Sequence, residues 1–376
     1  MYWGYGVTLR LGLMFSTTGS YDALGKSALA GALGAIEALR ARGVADITPV
    51  IRDPGGDVAR YERDTAELLE AGVHNILGAI TSWSRKDMIP VLERYGGLLW
   101  YPCPYEGFES NDHVIYLGAT PNHHVVPATG WIAAQGLKRA YLVGSNYVWG
   151  WETLRLAREC LRAQGVEILG ERYVPLGSVQ HRHVVEEICE LGVDCVVDSL
   201  IGPSNATFLQ ALAARDPGRV GRPGHVVSFN QTEADLAELG PGAEGLLSAG
   251  PLFECEASAN LVTAARRHAP NGRVSAVLAS SYAAVEIFAV AVARAGSDDP
   301  AAVFRSAAAA PVATAMGDIG IDPVLRHAAF CPRLALVEDG RFRVIRSEQV
   351  EVPADPYLTG RTSPQPTRRA DLRVVK

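Results

Sequence analysis

A chain of 376 residues has room for two domains of roughly 150 residues each. Its 48 % hydrophobic and 20 % charged residues are ordinary for a globular protein with large cores. A formal net charge of −6 argues against a dedicated nucleic-acid binder, so no direct nucleic-acid contact is expected; six cysteines without a C-x-x-C pair suggest neither a zinc ribbon nor a thioredoxin-like centre.

The first element is an apolar strand, Val7–Phe15, with the first charge, Arg10, inside it. No basic start, apolar run and cleavage site stand before that strand, so no export signal is expected. No later run reaches the roughly 18 apolar residues of a membrane span, so none is expected. Cys160, Cys189 and Cys195 sit in apolar surroundings and read as small core residues, and the six thiols fit a reducing compartment.

After Ser16-Thr17-Thr18-Gly19 the spacing of Leu24, Leu29, Leu33, Ile36 and Leu39 predicts a helix over Leu24–Arg42. Strands follow at Ile47–Arg52, Val73–Ile80 and Leu98–Tyr101, with helices at Tyr61–Ala71 and Arg85–Tyr95 between them. The rhythm restarts after Thr120-Pro121-Asn122. A helix runs to Gln135, then strands at Arg139–Val143, Glu167–Val174, Asp194–Leu200 and His225–Ser228 alternate with helices at Glu152–Ala163, Val184–Leu191 and Ser204–Arg215. Helices over Ser258–His268 and Ser275–Ala295 and a hairpin over Arg333–Arg346, turning at Glu338-Asp339-Gly340, complete the pattern. Beyond Pro353 the polar, proline-containing chain reads as an extended tail.

Alternation of this kind predicts parallel sheets with helices on both faces. Ligand sites of such sheets lie at the carboxyl ends of the strands. Here those ends are Ser16–Tyr21, Thr81–Arg85, Tyr101–Gly107, Ser145–Gly150, Ile201–Asn205 and Asn230–Glu233, all expected around one interdomain cleft.

Several of these loops carry a resemblance. Ile80-Thr81-Ser82-Trp83-Ser84-Arg85-Lys86 and Tyr101-Pro102-Cys103-Pro104-Tyr105-Glu106-Gly107-Phe108-Glu109 resemble the urea and short-chain amide binding branch of the type I periplasmic-binding proteins. Asp53–Asp57, Thr120-Pro121-Asn122, Gly144–Tyr147, Pro175–Ser178 and Ser228–Asp235 also fit, so the similarity runs over nearly the whole chain. It implies an α/β protein of two Rossmann-like lobes with parallel sheets, joined by three crossovers, closing on ligand. The first lobe would comprise residues 1–120 and 250–330 and the second 121–249 and 331–352; residues 353–376 would form the tail.

That branch has transporter members and a cytoplasmic amide sensor, which represses the aliphatic amidase operon by holding an RNA-binding antiterminator inactive. Asp355-Pro356-Tyr357 and Cys103-Pro104 resemble the sensor, whereas Thr81-Ser82 resembles the transporter group. With no export signal expected, the reading is a cytoplasmic sensor of short-chain amides or urea-like molecules with an antiterminator partner. The alternative is the substrate-binding protein of a urea or amide ABC transporter. Neither reading makes the chain an enzyme or calls for a cofactor, and homo-oligomerisation stays open.

A short amide offers one carbonyl acceptor and an NH2 group, so its pocket needs fixed donors and acceptors in a small dry space. Thr81-Ser82-Trp83-Ser84 precedes a helix whose free N–H groups can face a ligand carbonyl. By resemblance Ser82 is the ligand-binding serine; otherwise Ser82 or Ser84 caps that helix. Tyr101, Cys103, Pro104 and Tyr105 follow a strand and offer carbonyls and aromatic walls, or form a packed turn. Cys103 lacks any visible activating group. By resemblance Tyr147 closes from the second lobe, with Asn146 in place of the family's usual Asp. Ile80 stands where the family has Trp or Tyr, which enlarges the expected pocket. Gly202, Ser204, Asn205, Gln231, Thr232 and Glu233 would line the second-lobe side; capping is open for Ser204 and Thr232, and a solvated acid for Glu233. His123-His124 and His181-Arg182-His183 read as surface histidines, because no set of three or four converging metal ligands is visible. Walker-type, Gly-x-Gly-x-x-Gly and Gly-x-Ser-x-Gly motifs are absent.

Overall fold

A strand that is apolar on both faces needs cover on both sides, and β1 (Leu9–Met14) is buried along its last four residues. In a computed structural model, which describes residues 9–255 and 258–360, β1 is flanked by two parallel neighbours, β2 (Ile47–Arg52) and β3 (Asn75–Gly78). β4 (Leu98–Tyr101) and β5 (Val114–Tyr116) complete a five-stranded parallel sheet of order β2-β1-β3-β4-β5. Its connecting helices are α1 (Asp22–Ala41), α2 (Val58–Glu70) and α3 (Ser82–Tyr95).

The second lobe repeats the rule. α4 (Val125–Ala134) leads to β6 (Arg139–Ser145), α5 (Val148–Ala163), β7 (Glu167–Val174), α6 (Arg182–Leu191), β8 (Cys195–Ser199), α7 (Pro203–Arg215), β9 (Val226–Ser228), α8 (Leu236–Leu239) and β10 (Leu247–Gly250). The chain then returns to the first lobe as α9 (Ala259–Ala265), α10 (Ala276–Ala295), α11 (Pro300–Ala308) and the small hairpin of β11 (Val312–Thr314) and β12 (Gly317–Ile319). It crosses a third time into β13 (Arg333–Glu338) and β14 (Arg341–Ser347), antiparallel additions to a seven-stranded sheet of order β14-β13-β10-β9-β8-β6-β7. The crossovers thus follow β5 and β10 and precede β13. One core gathers residues 11–117 and 252–330, whereas the second lobe holds a core on each face of its sheet.

Element starts moved where a side chain caps the helix. α2 begins at Val58 because the Asp57 carboxylate accepts from the Ala59 and Arg60 N–H groups. β5, β10, α11 and the β11–β12 hairpin occupy stretches with no expected element; three- and four-residue strands show too few alternations to read. Among the described residues one helix, α10, is long and apolar enough to cross a bilayer, although the sequence showed no such span. Its hydropathy serves a core: 83 % of that window is buried.

The tail also departs from its expected course. Val352–Leu358 packs on the first crossover: Asn122 Nδ2 donates to Pro353 O (2.9 Å), Asp355 N–H to Asn122 Oδ1 (3.0 Å), and Phe108 N–H to Pro356 O (2.9 Å). The Val7–Thr8 start of the first strand and tail residues 361–376 lie outside the described residues.

Candidate functional site

The carboxyl ends of both sheets face one cleft that holds about 1280 Å³ of space, open solvent at its mouth included. All six expected loops reach it, through Tyr21, Ser82, Tyr101–Pro104, Tyr147 with Trp149, Ile201–Pro203 and Asn230–Thr232. The lobes already touch at one rim. The Trp83 ring meets Tyr147 edge-on at 5.5 Å, and the Arg155 guanidinium lies 5.0 Å from the Phe108 ring.

On the first-lobe side, the chain leaves β3 through Ala79, whose φ of 57° is unusual for a residue with a Cβ. Thr81 then caps α3, its Oγ1 accepting from Ser84 N–H, while Ser84 Oγ closes the box with Thr81 N–H. With capping left to Thr81 and Ser84, Ser82 Oγ–H donates to Glu106 Oε2 (2.5 Å). Glu106 in turn accepts from the fully buried Arg85 (3.2 Å), which also donates to Glu109 (2.6 Å) and lies over the Tyr101 and Tyr105 rings at 4.7 and 4.8 Å. Burial alone would raise Glu109; the charges and hydrogen bonds of Arg85 and Lys86 together outweigh it and hold the carboxyl down at about 2. At the first crossover, Gly118 has no Cβ because one would stand 1.7 Å from Cys103 O, so glycine lets this strand reach the cleft beside Cys103-Pro104.

On the second-lobe side the polar groups are less occupied. Gly202 caps α7 at φ 57°, ψ −138°, with Pro203 after it. Tyr147, extended at the start of α5, is buried against the first lobe, and burial pushes its hydroxyl well up. Trp149 Nε1 and Gln231 Oε1 have no hydrogen-bond partner although both side chains are buried. Among the described residues lining the cleft there is no Lys, Arg or His; the acids are Asp22, Asp235 and Glu238.

Of the residues singled out in the sequence, Ser82, Tyr101, Cys103, Pro104, Tyr147, Gly202, Gln231 and Thr232 line the cleft together with Ile80. Five are placed behind its wall. Thr81 is the cap just described. Tyr105 stacks on Tyr116 at 5.1 Å and bonds Glu109 O. Asn205 donates to Asp198; Ser204 is buried without a partner, and Gly202 rather than Ser204 caps α7. Glu233 is buried rather than solvated: its Oε1 accepts from Glu254 N–H (2.7 Å), Oε2 has no partner, and burial raises the carboxyl to about 8. Thr232 caps nothing; its N–H and hydroxyl both donate to Asp235. Asn146 faces away and accepts from Trp151 Nε1 (2.9 Å).

His183 is exposed, but the other three histidines correct the surface reading. His123, His124 and His181 are buried, His123 bonding Thr120 and Val352 O and His124 bonding Tyr105 O. Burial lowers His123 to about 4 and His124 to about 3, so both are neutral near pH 7 and pack the first crossover. Among the described residues no group of three or more His, Cys, Asp or Glu is arranged to hold a metal ion. Burial pushes the Cys103 thiol up to about 12, and it donates to Ala79 O (3.8 Å). Cleft residues the sequence did not single out are Trp149, Phe229, Asp235 and Leu239, and the far wall of Leu252, Phe253, Ala276 and Val277. Trp149 and Phe229 were within reach of the strand-end rule; the far wall comes from a crossover and α10, which no local motif marks.

Residues 9–363 match the model of a family described as periplasmic binding protein domain. Among solved structures, a solute-binding protein of an ABC transporter from R. palustris in complex with benzoate superposes with a TM-score of 0.82 at 17 % identity, covering 93 % of this chain and 99 % of that one. A second from R. palustris, in complex with 4-hydroxybenzoate, gives 0.80 at 19 % identity over 95 % and 100 % of the chains. The branched-chain amino acid transporter substrate-binding protein LivJ from Streptococcus pneumoniae, in complex with isoleucine, gives 0.79 at 17 % identity over 92 % and 100 %.

Proposed function

We propose that this chain, which belongs to the periplasmic binding protein family, captures a small uncharged amide or urea-like solute between its lobes for an ABC transporter. The observation that carries the amide reading is that two residues of a cleft wall without a cationic side chain keep unpartnered buried atoms, the donor Trp149 Nε1 and the acceptor Gln231 Oε1. An amide supplies the complementary carbonyl and N–H groups and brings no charge to neutralise. Buried polar groups left unpaired disfavour the empty closed form, and a ligand that pairs them favours it by its differential affinity. Burial keeps Cys103 a thiol, which leaves it as wall rather than nucleophile.

Transport agrees with the solute-binding proteins of similar fold. Regulation through an RNA-binding antiterminator is the second reading; it rests on Asp355-Pro356-Tyr357, which packs against Phe108 beside the first crossover. Fractionation of native cells separates the two, since transport requires the protein outside the cytoplasm and regulation within it. The ligand class is tested by a thermal-shift titration with urea, formamide, acetamide and butyramide. The expected result is stabilisation that grows once free ligand exceeds its Kd; no shift with any of them removes the amide reading.

A further inference from the structure

We infer that the solute is an amide with an apolar tail, a chain of several carbons or a phenyl ring, which lies along α1, α10 and the crossover after β10, away from Trp149. The inference rests on the amide reading above and extends it to the far end of the site.

Strand order gives the cleft two ends. Trp83 on Tyr147 and Arg155 over Phe108 join the lobes through segments that follow β3, β4 and β6. β1 lies beyond β3 from β4, and β10 is separated from β6 by β8 and β9. α1, which follows β1, and the crossover after β10 therefore form the opposite end. Leu24 of α1, Leu252 and Phe253 of the crossover, and Ala276 and Val277 of α10 line the cleft there. Formamide, urea and acetamide bring at most one methyl group to such a wall. Ile80 extends the apolar surface toward Ser82.

The same lining favours an uncharged head over a carboxylate. Its ionisable groups are Asp22, Asp235 and Glu238, so no cationic side chain pairs an anion there. Arg85, behind Ser82, is already matched by Glu106 and Glu109, and Lys86 by Glu109. No spare cation stands among the described residues of that loop.

Calorimetric titration of the whole protein with matched pairs tests this: acetamide, butyramide, hexanamide, hexanoate, benzamide and benzoate. Each buried methylene is expected to tighten binding roughly fourfold, so hexanamide and benzamide bind at least tenfold tighter than acetamide, and the two acids do not saturate. Acids that bind as tightly as their amides overturn the uncharged head, and acetamide that binds as tightly as hexanamide overturns the tail while leaving the amide reading in place. Failure of every amide, short and long, overturns both. Ala276→Phe fills the far end, and the affinity ratio of hexanamide to acetamide is expected to collapse at least fivefold; a ratio that does not move overturns the placement of the tail.

Discussion

In and behind the cleft wall, the polar groups of the two lobes stand in different states. In the first lobe Ser82, Glu106, Arg85 and Glu109 form a chain of hydrogen bonds that leaves only Arg85 Nη1 over, with Thr81 and Ser84 completing each other at the start of α3. In the second lobe Trp149 Nε1, Gln231 Oε1, Glu233 Oε2, Ser204 Oγ and Asn205 Oδ1 have no partners. An unpaired buried polar atom costs about 1–3 kcal/mol relative to a paired one, so Trp149 and Gln231 put a standing penalty into the second-lobe wall that Ser82, bonded to Glu106, does not put into the first. The difference assigns separate tasks: the first lobe is a preformed wall, and the second gains most when a polar ligand arrives.

That contrast breaks first at Arg85. Its removal leaves Glu106 and Glu109 with only the part-exposed Lys86 as counter-charge, and the expected loss for Arg85→Met is about 3 kcal/mol. Urea unfolding reads it as a lower midpoint; a loss below about 1 kcal/mol means that the first lobe is not held by this chain of bonds. Ser82→Ala strands one Glu106 oxygen and is expected to cost about 1–3 kcal/mol in the same measurement.

The contrast was only half legible in the sequence. Alternating strand and helix patterns sufficed for both sheets, because β1, β4 and β8 are buried runs bounded by turn residues. The strand-end rule brought eight of the singled-out residues to the cleft wall. Local sequence could not show that Thr81 caps α3 and leaves Ser82 for Glu106, 24 positions away. Nor could it separate Gln231, in the wall, from Glu233, turned behind it to the crossover at Glu254. Buried His123 was misread because its burial against Val352 O of the returning chain depends on a contact over 200 residues apart, while His124 and His181 bond residues 19 and 26 positions away, beyond any local pattern.

Acid and base should dismantle the lobes from different sides. Glu109 is held at about 2 against an ordinary 4.5, so its contribution is full above pH 4.5 and is lost as pH falls toward 2. The buried histidines act in the same direction, since the unfolded chain takes up protons at His123 and His124 below about 6.5. Glu233 has the opposite sign. Raised from 4.5 to about 8, it keeps a proton that the unfolded chain releases, so its contribution is full below pH 4.5 and is lost as pH rises to about 8. Asp198, raised by burial to about 7, adds to this only up to that pH. Between pH 7 and 8 Glu233 therefore dominates these opposing effects, and unfolding free energy is expected to fall by about 1 kcal/mol across that unit. Denaturant melts of the native protein and Glu233→Gln check this: the slope should vanish in the variant, and a slope that persists assigns the proton elsewhere.

The finest distinction between the lobes is the sign of a small change at Trp149. Phenylalanine keeps an aromatic ring beside His124, whose centroid lies 5.7 Å from that of the indole, and deletes only the unpartnered N–H. Removing a buried donor that has no partner takes away a desolvation penalty rather than a bond. Trp149→Phe is accordingly expected to leave the empty protein as stable as before or more stable by less than about 1 kcal/mol, while amide affinity falls at least tenfold. Ser82→Ala should lower both quantities, because the Ser82 hydroxyl already has Glu106 to bond. Melting curves with and without a saturating amide read both columns of this comparison. If Trp149→Phe destabilises the empty protein as Ser82→Ala does, its N–H is already satisfied there, and the second lobe is no more in need of a ligand than the first.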